Sequence, residues 1–281
     1  MPQSEQQSIV SVFEYLATKD IRLPVFDRTA LQIQQEMSRE NVDQRMIENL
    51  IVQDPALTSQ VLKMANSSYY KGLSEITTVR NAIVRLGLKE VANIVTLVSH
   101  RRHFKASDPQ VRKLMNELWR HSVACGLGAK WLAAQGGFEV APSEAFFAGL
   151  LHDVGKLFII TVIEKLKKSN QIKQIPSQAV IDEVIDSLHC KHGYVLMKNW
   201  NLPEQYCQIV RDHHREDGEG ENHLLAIVRL ADCTCNKIGM GLRLNDQVVL
   251  AATRDAALLG LSEVLLAKLE IHLEDASALA E

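Results

Sequence analysis

The sequence predicts an all-α protein. Apolar residues recur at helical spacing along nearly the whole chain, no two-residue alternation bounded by turns appears, and several segments open on strong helix-start signals. The 281 residues suffice for a large core, as one big domain or as two lobes sharing an interface, without disulfides. Hydrophobic residues make up 46% of the chain and charged residues 23%, close to the averages for folded domains, so extensive disorder is not expected.

Taken in order, the first clear helix start is Asp54-Pro55. It offers an N-cap carboxylate and a proline at the first helical position, where the missing N–H is no loss, and predicts a helix over roughly 55–65. The stretch "FKASDPQ", Phe104 to Gln110, is polar and proline-containing, and is the expected boundary between an N-terminal helical subdomain, 1–106, and a helical core, 107–281. Asp108-Pro109 then opens a helix running to about 134, which "QGG" (Gln135 to Gly137) ends. Pro142-Ser143 opens the helix that contains "FFAGLLHDVGKLFII", Phe146 to Ile160. Later breaks fall at "NQIKQIPS", at "WNLPE" and at "EDGEGEN", Glu216 to Asn222, an acidic loop expected to be mobile.

A formal net charge of -3 gives no general basic field for a nucleic-acid backbone, so no nucleic-acid polymer is expected as a partner. The short "HRRHFK", His100 to Lys105, reads as a solvated helix end. Five cysteines, an odd number, and a polar start, "MPQSEQQSIV", point to a reducing, cytoplasmic setting. No run approaches the ~20 uninterrupted apolar residues of a membrane span, "FIITVI" ending at Glu164, so no membrane is expected either.

The Phe146–Ile160 stretch is apolar almost throughout yet carries His152, Asp153 and Lys156. A helix apolar all round should be buried, and a buried charge must be paired or coordinated. One solution is a core ion pair of Asp153 with Lys156, His152 donating to a carbonyl. A second emerges with His121, His189, His213, His214 and Asp232, each on a predicted helix or at its end among apolar neighbours. Any one of these alone reads as a core or rim residue rather than a ligand. Together they supply the imidazoles and carboxylates of a carboxylate-bridged dinuclear site, whose positive charge would stabilise Asp153 and a neutral His152.

The ordered set His121, His152-Asp153, His189, His213-His214 and Asp232 resembles the ligand series of the HD superfamily of metal-dependent phosphohydrolases, and "HDVGK" is similar to the HDxGK form of its cyclic-dinucleotide phosphodiesterase branch. Upstream, "LPVFDRTALQIQQEM", "LIVQDPALTSQVLKMANSSYY" and "ITTVRNAIVRLGLKEVANIV" resemble the HDOD family, the HD-related output domains of bacterial signalling, as does "GYVLMKNWNLPE" followed by "HH". The resemblance runs from about Leu16 to Asp232. Many HDOD members are thought to have lost the ligands and to act as non-catalytic modules, whereas this sequence keeps every matching position. After "HH" it retains a DGxG-like turn, Asp217 to Gly220, but has Glu221-Asn222 where the cyclic-dinucleotide branch carries Tyr-Pro, which weakens cyclic-dinucleotide hydrolysis as the specific activity.

The resemblance implies that His121, His152, Asp153 and Asp232 hold one divalent metal and that Asp153, His189, His213 and His214 hold a second, with Asp153 as bridge. Iron or manganese is favoured and zinc is compatible. Catalysis would rest on Asp153 and on Lys156, which would neutralise phosphate charge in a phosphoester or nucleotide; its other reading is the partner of Asp153. The implied function is an HDOD-type signal-transduction protein hydrolysing a phosphoester, with a signalling protein partner acting in trans. Two alternatives are a regulatory module with a structural metal and a nucleotide sensor without turnover.

Around this set, His192 lies one turn after His189, either approaching the site or at the surface, and Glu216 is either an acid or base near the metal or part of the acidic loop. Cys233 and Cys235 fall on opposing faces of one helix and are not expected to share a metal. Asn66, Tyr69 and Tyr70 fit core packing and helix capping. Arg80, Arg85 and Lys89 form either a solvated helix face or a basic stripe for an acidic partner.

Overall fold

Asp27, Asp43 and Asp54 each turn a carboxylate onto the free amides of the helix that follows, and α1 (Arg28–Met37), α2 (Gln44–Val52) and α3 (Pro55–Ala65) start there. The structure, a computed structural model, describes residues 27–70, 72, 74–215 and 222–276, with no strand among them. The first part of the HDOD-like resemblance and the acidic loop from Glu216 to Glu221, including its DGxG-like turn, lie outside the described residues.

Thr78 caps α4 (Val79–Leu86), and Gly87, at φ 87°, makes the turn into α5 (Leu88–Arg101). Helix α5 is buried continuously from Val91 to His100 because α1, α3 and α4 pack around it on one side. The expected capping role of Asn66 is realised at the end of α3. Its side chain donates to the Leu62 and Ile76 carbonyls and accepts from the Ile76 amide at 2.8 Å. Tyr69 and Tyr70 pack edge to face, and Tyr70 donates to Glu90, which also pairs with Lys130.

Asp108 and Pro109 start α6 (Pro109–Gln135) as expected. Then come α7 (Pro142–Leu151), α8 (Val154–Lys168), α9 (Gln178–Asn199), α10 (Glu204–Asp212), α11 (His223–Lys237), a 3-10 turn at Leu250–Ala252, α12 (Arg254–Leu258) and α13 (Glu263–Ala276). Two crossings bring these helices unusually close. A methyl added at Gly149 would lie 2.6 Å from the Cys125 carbonyl oxygen and 3.0 Å from Gly126 Cα, so α7 meets α6 backbone to backbone. One added at Gly155 would lie 1.9 Å from the His189 carbonyl oxygen and 2.9 Å from the Gly193 amide, so α8 meets α9 in the same way.

Two expectations are corrected here. The single helix expected beyond Pro142 is two, α7 and α8, interrupted at His152-Asp153. His152 Nδ1 donates at 2.7 Å to the Gly149 carbonyl, the acceptor that a continuous helix would present to the Asp153 amide. Taken across that break, Pro142–Lys168 is long and apolar enough to cross a membrane, but 89% of its apolar window is buried inside the protein. The "HRRHFK" end is packed rather than solvated. His100 is buried against Phe104 and near Trp119, Arg101 lies over the Trp119 ring, and Arg102 pairs with Asp27. Of the two readings of Arg80, Arg85 and Lys89, the solvated face fits better: Arg80 and Lys89 are exposed, Arg80 pairs with Glu48, and Arg85 donates to the Ser74 carbonyl.

Candidate metal centre

The helix crossings place His121 of α6, the His152-Asp153 break, His189 of α9, His213 at the end of α10 and Asp232 of α11 around one point. His121, His152, Asp153 and His189 are each no more than 2% exposed, while His214 is exposed. The two oxygens of Asp153 divide the imidazoles between them. Oδ2 lies 3.2 Å from His121 Nε2 and 3.3 Å from His152 Nε2. Oδ1 lies 3.4 Å from His213 Nε2 and 3.8 Å from His189 Nε2. Asp232 Oδ1 joins the first group, 3.2 Å from His121 Nε2, and is itself held by Asn236 at 2.8 Å. The His214 ring lies tilted against His213, ring centroids 4.1 Å apart, and stands 5.0 Å from the His189 ring.

Four of these rings are locked. Nδ1 of His121, His152, His189 and His213 faces the carbonyl oxygen of Met240, Gly149, Ile185 and Val210, at 3.1, 2.7, 2.6 and 3.0 Å. A carbonyl can only accept, so each Nδ1 carries a proton, and each ring turns its Nε2 inward, where the neutral form offers a lone pair. Despite the short approaches, His152 Nε2 and Asp153 Oδ1 have no hydrogen bond of good geometry, and Asp153 Oδ2 is met by the Lys156 ammonium. Converging, buried and unsatisfied donor atoms of this kind fit a divalent metal, which takes imidazole nitrogen and carboxylate oxygen together.

Lys156 lies against the same carboxylate, its Nζ 2.6 Å from Asp153 Oδ2. The core ion pair read from the sequence is therefore present alongside the histidine cluster. Burial would raise the Asp153 carboxyl, but the charges of His152 and Lys156 outweigh it and hold it well below the usual range. Burial likewise acts to lower His121 and His152, yet hydrogen bonding and charge from Asp153 and Asp232 raise them to about 9 and about 10. On the other side burial wins, lowering His189 to about 3 and His214 to about 4. In the metal-free chain, protons on His121 and His152 and the Lys156 ammonium thus supply the positive charge that the two carboxylates require.

Beside the cluster lies a cavity of about 760 Å³, bordered by His213, His214 and Asp232 and by Arg215, Arg229 and Arg254. Arg229 is held by the Asp212 and His213 carbonyls at 2.8 and 3.1 Å, which also fixes the turn carrying His213. Lys156 does not border this cavity.

Of the remaining residues noted in the sequence, His192 packs against Phe158, ring centroids 5.8 Å apart, away from the cluster, and Glu216 lies outside the described residues. Cys235 is buried against Cys125, and Cys233 borders the cavity. Two cysteines that the sequence reading passed over stand at the cluster. Cys190 Sγ is 3.3 Å from His189 Nε2, and Cys125 Sγ is 3.6 Å from His121 Nε2. Their signal was sequence adjacency to His189 in one case and a one-turn spacing from His121 in the other. Arg229 and Asn236, three before and four after Asp232 on α11, were legible only by spacing.

The model of the HDOD domain family matches residues 23–216 of the chain. An uncharacterised protein from Treponema pallidum is 28% identical over 218 residues, 75% of this chain; the chain spans 42% of the length of that curated relative. Among solved structures, an HDOD domain protein of unknown function from Geobacter sulfurreducens is 24% identical, with a TM-score of 0.77 over 98% of this chain and 97% of that one. A protein from Shewanella amazonensis, provisionally assigned as a metal-dependent phosphohydrolase, is 20% identical, with a TM-score of 0.74 over 99% of each chain. At these identities the two structures speak to the fold, which they share.

Proposed function

The chain belongs to the HDOD domain family, and from that premise we propose that it is a signal-transduction protein with a working His/Asp metal site that hydrolyses a phosphoester. The observation that carries this reading is the set of four imidazoles, each locked through Nδ1, whose Nε2 atoms converge on the two oxygens of Asp153. His121, His152, Asp153 and Asp232 would hold one metal; Asp153, His189, His213 and His214 a second.

A bound divalent pair supplies Lewis acidity toward a phosphoester oxygen and lowers the pKa of water at neutral pH. The chain's own residues do the rest. Asp153 keeps the two groups of imidazoles on one carboxylate. Asn236 fixes Asp232, and Arg229 fixes the His213 turn. Arg215, Arg229 and Arg254 border the adjoining cavity together with Asp255 and would draw a phosphate by charge, the Arg229 donors being already held by the Asp212 and His213 carbonyls. Lys156 balances the Asp153 charge and keeps the carboxylate ionised.

One observation favours a second reading, a regulatory module without turnover. Asp153 already has a cation, since the Lys156 ammonium lies 2.6 Å from its Oδ2. Elemental analysis of the full chain, purified anaerobically without chelator or tag, separates the two, wild type beside Asp153→Ala. About two metal equivalents in the wild type and none in the variant are expected for a dinuclear site. No metal in either, before and after reconstitution, refutes the metal reading and leaves the module.

A further inference from the structure

We propose that Cys190 is a thiolate ligand of the second metal position, adding a sulfur to the imidazoles of His189, His213 and His214 and the bridging Asp153 oxygen. This rests on the metal-site reading above and goes beyond its ligand set.

The geometry begins at His189. Its Nδ1 donates to the Ile185 carbonyl, so its Nε2 lone pair points into the cluster, and Cys190 Sγ stands 3.3 Å from that nitrogen. His213 Nε2 is 3.4 Å from the same atom, with its own Nδ1 proton committed to Val210. Two bare lone pairs facing each other at that distance repel unless a proton or a metal cation lies between them. One donor atom from each of His189, Cys190, His213 and His214 lies within 4.8 Å of all the others.

The spacing suits one ion. With bonds of ~2.0–2.1 Å to nitrogen and ~2.3 Å to sulfur, a tetrahedral zinc site has nitrogen–nitrogen edges of about 3.3 Å and nitrogen–sulfur edges of about 3.6 Å. The 3.4 Å and 3.3 Å separations are close to these edges.

Cys125, the other cysteine at the cluster, does not qualify. Its Sγ is 3.6 Å from Nε2 and 3.8 Å from Nδ1 of His121, so it lies over the ring rather than along the Nε2 lone pair.

On binding, the Cys190 thiol proton leaves to solvent and the sulfur donates a lone pair to the ion. No oxidation state changes. A soft thiolate among imidazoles selects zinc over manganese or ferrous iron at this position, although a site without sulfur would leave those ions competitive.

Cobalt(II) titration of the chelator-stripped full chain tests this, because a thiolate ligand gives a sulfur-to-cobalt charge-transfer band in the near ultraviolet. The wild type should develop the band, Cys190→Ser should bind cobalt without it, and Cys125→Ser should keep it. Zinc affinity of Cys190→Ser should fall by more than the roughly 10–100-fold that loss of an outer-shell partner costs. Cobalt bound by the wild type without the band, or a band that survives in Cys190→Ser, overturns the thiolate assignment and leaves the metal site standing. A wild type that binds no cobalt overturns the metal reading and this proposal together.

Discussion

Gly155→Ala is the sharpest test of how the fold builds the site. The added methyl would lie 1.9 Å from the His189 carbonyl oxygen, whereas ordinary contact begins at 3.4 Å, so α8 and α9 must separate by about 1.5 Å. Both obstacles, that oxygen and the Gly193 amide, are backbone and cannot swing aside. Asp153 sits two residues before Gly155, and its Oδ1 is 3.8 Å from His189 Nε2. Moving the helices apart takes that pair beyond 5 Å, about 2 Å past a shared-ligand edge in a tetrahedral site. Overpacking costs about 1–3 kcal/mol in typical cores, and a rigid backbone obstacle belongs at the top of that range or above it. Better helix propensity of alanine returns only ~1 kcal/mol. A net loss of about 2 kcal/mol or more corresponds to roughly 4–8 °C in Tm for a chain of this size. The assays are thermal unfolding in chelator, which reads packing alone, and metal content after reconstitution, which reads the ligand set. A variant that melts within about 1 °C of wild type and keeps full metal content would refute the crossing as the feature that joins Asp153 to His189.

Further outcomes follow from the same geometry. Lys156→Ala removes one partner of a buried pair, so the metal-free chain should lose about 3–5 kcal/mol, largely recovered on adding metal. Phosphoester turnover should vanish with metal retained if Lys156 acts on substrate, and a variant with unchanged metal-free stability would refute the pair. His121 and His152, raised to about 9 and about 10, stabilise the metal-free chain fully below about 6.5, and that contribution is lost as pH rises through those values. His189 and His214, lowered to about 3 and about 4, contribute above about 6.5 and lose it as pH falls. Metal binding displaces the His121 and His152 protons, so affinity there should rise with pH toward 9; calorimetry in buffers of different ionisation enthalpy would show proton release, and pH-independent affinity would contradict it. Asn66→Ala strands the Ile76 amide and carbonyl and should cost about 2 kcal/mol in chemical unfolding.

Much of the fold was legible because local chemistry and tertiary structure agree. Asp54-Pro55 and Asp108-Pro109 each carry their own cap and start helices where the sequence places them. The cluster was legible for a different reason: His121, His152, Asp153, His189, His213 and Asp232 are polar residues on apolar elements, and such residues need partners. The break at His152-Asp153 was not legible, since the periodicity runs straight through it and the interruption comes from a side chain taking a backbone acceptor. Nor was the role of Gly149 and Gly155. A glycine within a helical pattern reads as a weak spot until the neighbouring backbone is in view. His100 was misplaced because flanking arginines made a packed aromatic corner look like a solvated end.

Three of the four locked rings lean on a carbonyl of their own helix or turn, three or four residues back, but His121 leans on Met240, 119 positions further along the chain. The orientation of a ligand in the middle of α6 is thus set by a strand of loop beyond α11, past residue 216 where the family match ends. A chain cut after Lys237 would retain every ligand residue, Asp232 included, and still leave the His121 ring free to turn. Possession of the ligands and possession of the site are separate properties here, and the tail of the chain decides the second.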